Sequence, residues 1–78
     1  MTRYRIQTRT TAGGRTETHT SSVILTRAEA LDSMTIDGQL ARLTGWRTTH
    51  QATKLVCTRG ATVRTLTIRE STPFDDTL

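Results

Sequence analysis

The sequence predicts one α+β domain, in which a single helix covers one face of an antiparallel sheet of four or five strands, ordered ββαββ or ββαβββ. Three observations predict it. Threonine, which is β-branched and favours strands, supplies 19 of the 78 residues. Glycine-containing turn signals separate pairs of strand-like segments. A segment with helix-start chemistry lies between those pairs. We expect the domain over residues 1–72, followed by an acidic C-terminal tail over 73–78.

The first hairpin is predicted by alternation of apolar and basic side chains over residues 3–11. Gly13 and Gly14 can supply the positive φ angles of a two-residue turn. That turn places Tyr4 opposite Val23 and predicts a second strand over 15–25. The outward positions of the two strands then carry a polar and basic set: Arg3, Arg5, Gln7, Arg9, Thr18, Thr20 and Ser22.

A helix is predicted from about Arg27, because Thr26 and Glu29 form a capping-box pattern. Gly45 stands where a helix commonly ends, and Gly38 predicts a bend or restart within the helix. The apolar residues expected to face the sheet are Ala28, Leu31, Ile36, Leu40 and Leu43.

The second half of the chain predicts strands over 46–58 and 61–70, joined by a turn at Arg59–Gly60. A bulge near Ala52–Thr53 would split the first of these in two. In this register Arg64 lies on the core side. The sheet residues expected in the core are Tyr4, Ile6, Val23, Leu25, Leu55, Cys57, Leu66 and Ile68.

No catalytic, cofactor or metal site is predicted. Cys57 with His19 or His50 would be the only candidate thiol–imidazole pair, and a buried core cysteine is the favoured interpretation. One cysteine and two histidines also fall short of a closed zinc site. A lone thiol, no secretory segment and a longest apolar run of "VIL" predict a cytoplasmic protein that does not enter a membrane.

The charge pattern is compatible with nucleic-acid binding, since the net charge is +4 and the pI is near 10.6. Alternate residues of a strand lie about 6.6–6.8 Å apart, close to the spacing of phosphates, and arginine can contact phosphate or guanine. The alternative is a solvated face that protects an edge strand from aggregation. The candidate nucleic-acid-binding residues are Arg3, Arg5, Gln7, Arg9, Arg15, Thr18 and Thr20.

A second function remains open at this point. The chain could instead be a protein-interaction module that binds a host protein or self-associates as a homodimer, with no nucleic-acid role. Trp46 is then a candidate partner-binding residue, although a core position beside the sheet edge also suits it.

Two resemblances accompany this interpretation. The segment "YRIQTRTTAGGRTETHTSSVILTRAEAL" resembles the arm-type DNA-binding domain of tyrosine integrases at Tyr4, Gly14, Thr26, Glu29 and Ala30, which implies a sheet that docks in a DNA groove. The whole chain resembles short orphan proteins encoded by phages of high-GC actinobacteria, in its length, its excess of arginine over lysine and its "GW…LVCTRG…VRT" run. That likeness implies a small accessory protein acting in the host cytoplasm.

Overall fold

The computed structural model describes residues 2–71, which form one five-stranded antiparallel sheet and one helix. The elements are β1 (Arg3–Ala12), β2 (Arg15–Thr20), α1 (Arg27–Leu43), β3 (Arg47–Gln51), β4 (Lys54–Arg59) and β5 (Thr62–Ser71). The strand order across the sheet is β2-β1-β5-β4-β3. The predicted α+β class and its five-stranded form, ββαβββ, are confirmed, and a turn at Ala52–Thr53 separates β3 from β4. The predicted acidic tail lies outside the described residues.

The first hairpin has the predicted turn and register. Gly13 and Gly14 have φ angles of 58° and 78°, and Ala12 lies opposite Arg15. Both glycines take the left-handed conformation that a tight two-residue turn requires and that other residues rarely adopt.

The predicted length of β2 is wrong, because the strand ends at Thr20 rather than near residue 25. The Ser21 hydroxyl accepts a hydrogen bond from the Val23 amide at 3.1 Å, a local turn that competes with strand pairing. The chain rejoins β1 only where Leu25 and Tyr4 exchange two backbone hydrogen bonds of 2.8 Å. Val23, expected in the core opposite Tyr4, is therefore 56% exposed.

The capping box predicted at the start of α1 is present. The Thr26 hydroxyl accepts from the Glu29 amide at 3.2 Å, and the Glu29 carboxylate accepts from the Thr26 amide at 2.9 Å. These hydrogen bonds stabilise the ionised carboxylate and lower the pKa of Glu29. Gly45 has φ of 90° just after the helix, as expected of a terminating glycine. The helix does not restart at Gly38, because α1 is continuous from Arg27 to Leu43.

The apolar stripe predicted to face the sheet is wrong. The helix instead presents Ala30, Met34 and Gly38 to the sheet, and all three are buried. Most of the predicted stripe is exposed, and its solvent-facing members are Ala28, Ile36, Leu40 and Leu43, with Leu31 half-buried. The volume of the side chains between the helix and the sheet explains which face is buried. Small residues let the helix backbone approach the sheet closely, where large side chains from the strands already fill the core.

One core cluster joins the helix to the sheet. Its buried members are Ile6, Met34, Trp46, Leu55, Cys57 and Leu66, with Leu25, Ala41 and Ile68 packed partly buried against it. The predicted core side of β4 and β5 is thus confirmed, although the turn lies at Gly60–Ala61, one residue later than expected, with Arg59 opposite Thr62. The turn moves by one residue on both strands, so the register changes by two positions and every side chain keeps its face.

We expect Gly38→Ala to stabilise the fold. A Cβ at Gly38 would lie 3.5 and 3.6 Å from the two Leu55 methyl carbons, which is ordinary van der Waals contact. The substitution therefore causes no clash, and alanine gains about 0.5–1 kcal/mol over glycine inside a helix. Urea denaturation should show a raised midpoint. Gly45→Ala is the matched control and should lower the midpoint, because φ of 90° strains any residue with a Cβ. A lowered midpoint for Gly38→Ala would contradict the close but unstrained contact with Leu55.

Candidate nucleic-acid interface

The sheet has two faces of different chemistry. The helix side carries the core, and the opposite side, called here the outer face, carries the alternate residues of every strand. Six cationic side chains lie on the outer face and belong to four strands: Arg3, Arg5 and Arg9 of β1, Arg69 of β5, Lys54 of β4 and Arg47 of β3.

Most of the residues predicted to bind nucleic acid do share this face. Arg9 lies opposite Thr18 and Gln7 opposite Thr20, as expected from the hairpin register, and alternation places Arg3 and Arg5 beside them. Their common placement is confirmed, whereas their role stays a prediction. Ser22 does not join them, since it lies beyond the end of β2.

Arg15, which was also predicted to bind nucleic acid, does not share the outer face. It pairs with Ala12, and residues directly opposite each other in an antiparallel pair point to the same side of the sheet. Ala12 shares the side of Ile6 and Thr8, so Arg15 lies on the helix side at the tip of the hairpin. Both Arg15 and Arg9 are exposed, but on opposite faces.

Three outer-face cations were missed, although alternation could have revealed them. Arg69 follows the core residue Ile68, Lys54 precedes the core residue Leu55, and each must therefore point away from the helix. The start of β3 carries the third, Arg47, which lies opposite Thr58.

Negative charge is segregated from this surface. Within residues 2–71, all carboxylates lie on the helix side or on the helix itself. Glu17 pairs with Thr10 and Glu70 pairs with Tyr4, both on the helix side. The remaining three belong to α1: Glu29, Asp32 and Asp37. The two sides of the sheet therefore differ strongly in electrostatic potential.

Two arginines at one end of the outer face are adjacent and held in place. Arg5 lies directly opposite Arg69, which brings two guanidinium side chains side by side. Arg5 donates from Nη1 to the Ser21 carbonyl at 3.0 Å and from Nε to the Ser71 hydroxyl at 3.5 Å. Arg69 donates from Nη1 to the Gln7 side-chain oxygen at 3.2 Å. These hydrogen bonds orient both guanidinium groups within the protein itself.

The rest of the outer face is rich in hydroxyl groups. Thr65 and Thr67 occupy the middle of β5, and the hydroxyl oxygens of Thr11 and Thr16 lie 3.0 Å apart across the hairpin. Tyr4 and Trp46, the aromatic residues within 2–71, both lie on the helix side. The described outer face therefore offers no stacking platform for unpaired bases.

Trp46 is in the core and 8% exposed. The guanidinium carbons of Arg59 and Arg64 each lie 4.6 Å from the centroid of its ring, so two cation–π contacts hold it. The core interpretation is confirmed. A residue enclosed in this way has little surface left for a partner.

A cleft of about 490 Å³ opens on the helix side, between the second half of α1 and the β1–β2 hairpin. His19 and Cys57 both line it, together with Asp37 and Arg64. Burial raises the pKa of the Cys57 thiol and of the Asp37 carboxyl. The thiolate form of Cys57 is therefore disfavoured, which counts against a nucleophile at this position. The other candidate partner, His50, is opposite Leu55 on the edge strand β3 and exposed.

Comparison of the chain with known protein families, curated proteins and solved structures finds no match. In the part of the chain that the structure describes, α1 is too short and too polar to cross a membrane. Residues 2–71 also bring together no group of three potential metal-ligating side chains.

Proposed function

We propose that this chain is a non-catalytic accessory protein that binds double-stranded nucleic acid through the phosphate backbone. The composition of the outer face supports this proposal. Six cations share a hydroxyl-rich surface there, and no carboxylate of residues 2–71 lies on it. Arginine and lysine contacts to phosphate supply most of the affinity in sequence-independent binding.

The width of the sheet favours contacts with phosphates over readout of bases. Five strands spaced about 4.8 Å apart span about 19 Å, whereas the major groove of B-DNA is about 12 Å wide. The full outer face is too broad to enter a groove, in contrast to the narrower sheet implied by the integrase resemblance. We therefore infer that the face lies across the groove and contacts the phosphates on both sides.

The Arg5–Arg69 pair is the position at which we expect a phosphate to be held most firmly. Both guanidinium groups are oriented by hydrogen bonds within the protein, so little side-chain freedom is lost on binding. Three more exposed cations would contact neighbouring phosphates and so determine how far the interface extends along the duplex: Arg3, Arg9 and Arg47.

Source and location are part of this proposal. A phage-encoded protein acting in the host cytoplasm would meet duplex DNA at high concentration, and the buried Cys57 thiol needs no oxidising environment.

A second candidate function, binding to a host protein, is favoured by a different surface, the exposed apolar side chains of α1.

The salt dependence of binding tests the proposal with a matched pair of variants. We expect affinity for a mixed-sequence 20-base-pair DNA duplex to fall steeply with salt, with a slope of about −0.9 in log K against log salt for each phosphate contacted. Arg9→Ser should reduce the slope by about one, whereas Arg15→Ser, on the opposite face of the same hairpin, should leave it unchanged. Fluorescence anisotropy between about 50 and 200 mM salt measures both slopes. Equal slopes for the two variants would contradict binding by the outer face.

A further inference from the structure

The helix carries an apolar stripe that the fold leaves in solvent. Ile36, Leu40 and Leu43 follow one another at i, i+4 and i+7 and are 54%, 57% and 83% exposed. Helical periodicity places Ile36 and Leu43 on the side of α1 opposite Ala30 and Met34. Leu40 lies at the edge of this row, where it also lines the cleft beside the sheet. Single exposed apolar residues are ordinary, but an aligned row of three large ones is typical of an interface.

We propose that this apolar stripe is the interface on which a second copy of the same chain packs, helix against helix. The two helices run antiparallel about a two-fold axis level with Gln39. In this arrangement Ile36 of one copy packs between Leu40 and Leu43 of the other. A closed two-fold interface uses the same patch on both copies, which limits assembly to a dimer.

Charge complementarity favours a second copy of the chain as the partner that packs on the apolar stripe. It also favours antiparallel over parallel packing of the two helices. Glu29 and Asp32 lie on the stripe side of the helix near its start. Arg42 lies exposed in the last turn, where its Nε donates to the Thr48 hydroxyl at 2.6 Å, and Arg59 donates to the Thr44 carbonyl at the helix end. Antiparallel packing brings the acidic start of each helix to the basic end of the other and also opposes the two helix dipoles. Parallel packing would instead place like charges together.

The size of the core provides an independent reason for a dimer. The buried apolar residues of the described chain number seven, and one of them is an alanine. A domain this small gains little stability from its own core, and oligomerisation is a common compensation. A standard interface buries about 800 Å² on each partner, a modest part of the 5569 Å² accessible surface of this chain.

The dimer and the proposed nucleic-acid interface are physically separate. The apolar stripe lies on the far side of α1, and the outer face lies on the far side of the sheet. A dimer therefore leaves both outer faces exposed and pointing in opposite directions. Loss of nucleic-acid binding would not affect dimerisation, and monomeric behaviour would not remove the basic face.

Sedimentation equilibrium of the full chain without nucleic acid, from about 5 µM to 1 mM, tests this inference. We expect a monomer–dimer equilibrium with a dissociation constant in the micromolar range, as suits a small interface. Leu43→Gln should raise that constant tenfold or more, because it places a polar amide in the apolar contact. The matched control is Val23→Gln, which changes another exposed apolar residue, outside α1, and should leave the constant unchanged.

Charge reversal tests the direction of the two helices. Asp32→Arg and Arg42→Glu should each weaken the dimer. The double variant should recover most of the lost affinity, because it exchanges the two charges and the side chains at positions 32 and 42 attract again. A chain that stays monomeric at 1 mM would overturn the proposal and favour a different protein as the occupant of the stripe. Equal weakening by Leu43→Gln and Val23→Gln would overturn it as well. Circular dichroism of each variant separates these outcomes from a loss of folding.

Discussion

Replacing three exposed outer-face arginines by serine is expected to weaken duplex binding a hundredfold or more, while the same change on the helix side has a much smaller effect. The outer-face set is Arg3, Arg9 and Arg47, and the helix-side set is Arg15, Arg27 and Arg42. Both triple variants lower the formal net charge from +4 to +1, so the long-range attraction to DNA falls equally. Any difference between them reports contact with phosphates rather than total charge.

The magnitude follows from the loss of three charge-assisted contacts. A hydrogen bond to a charged group contributes about 1.5–3 kcal/mol, and even about 1 kcal/mol for each arginine amounts to more than a hundredfold in affinity. Anisotropy of a labelled duplex titrated with each triple variant at about 50 mM salt measures the affinity. All six side chains are exposed, so thermal melts of the two variants should match the parent within a few degrees. Comparable affinity losses in the two sets would remove the outer face as the interface.

Met34→Ala is expected to destabilise the domain by about 2–5 kcal/mol, the usual loss when a fully buried side chain is truncated. That loss is a large part of the total stability of a domain of this size, so the variant should be partly or wholly unfolded at room temperature. Leu43→Ala on the same helix should change the stability by less than about 0.5 kcal/mol in dilute solution, because its side chain is already in water.

Met34→Leu keeps this prediction testable if the alanine variant does not fold. A swap that conserves volume costs less than about 1.5 kcal/mol, so its urea midpoint should lie between those of the parent and the alanine variant. Chemical denaturation at protein concentrations below the range expected for dimerisation gives all three values. If Leu43→Ala proved more destabilising than Met34→Ala, the helix would face the sheet with its apolar stripe, as the sequence alone predicts.

The failed prediction of the helix face has a specific physical cause. Helical periodicity identifies rows of large apolar residues, and Ile36, Leu40 and Leu43 form the clearest row in α1. The buried row consists instead of Ala30, Met34 and Gly38, which are small or unbranched and lack a strong apolar signature. A dimer through the exposed row would explain why the sequence carries both patterns on one helix.

The prediction of the basic face succeeded where it rested on one hairpin and was incomplete where it needed the whole sheet. Arg5 and Arg9 follow from alternation within β1 alone. The neighbour of Arg5 across the sheet, Arg69, is 64 positions away in the chain, and that pairing depends on β1 lying beside β5. Arg15 was included among the candidate binding residues although the same hairpin register pairs it with Ala12, and strand alternation then places it on the helix side.

The sequence by itself determined those features that depend on neighbours a few residues apart: the Gly13–Gly14 turn, the Thr26–Glu29 capping box and the alternation along β1. The tertiary structure alone decided which side of α1 is buried and which strands bring their cations together. The reason is that short-range hydrogen bonds and backbone sterics act within a segment. The fit of a helix against a sheet depends instead on the volumes of residues distant in the chain, such as Gly38 and Leu55, which meet only after folding.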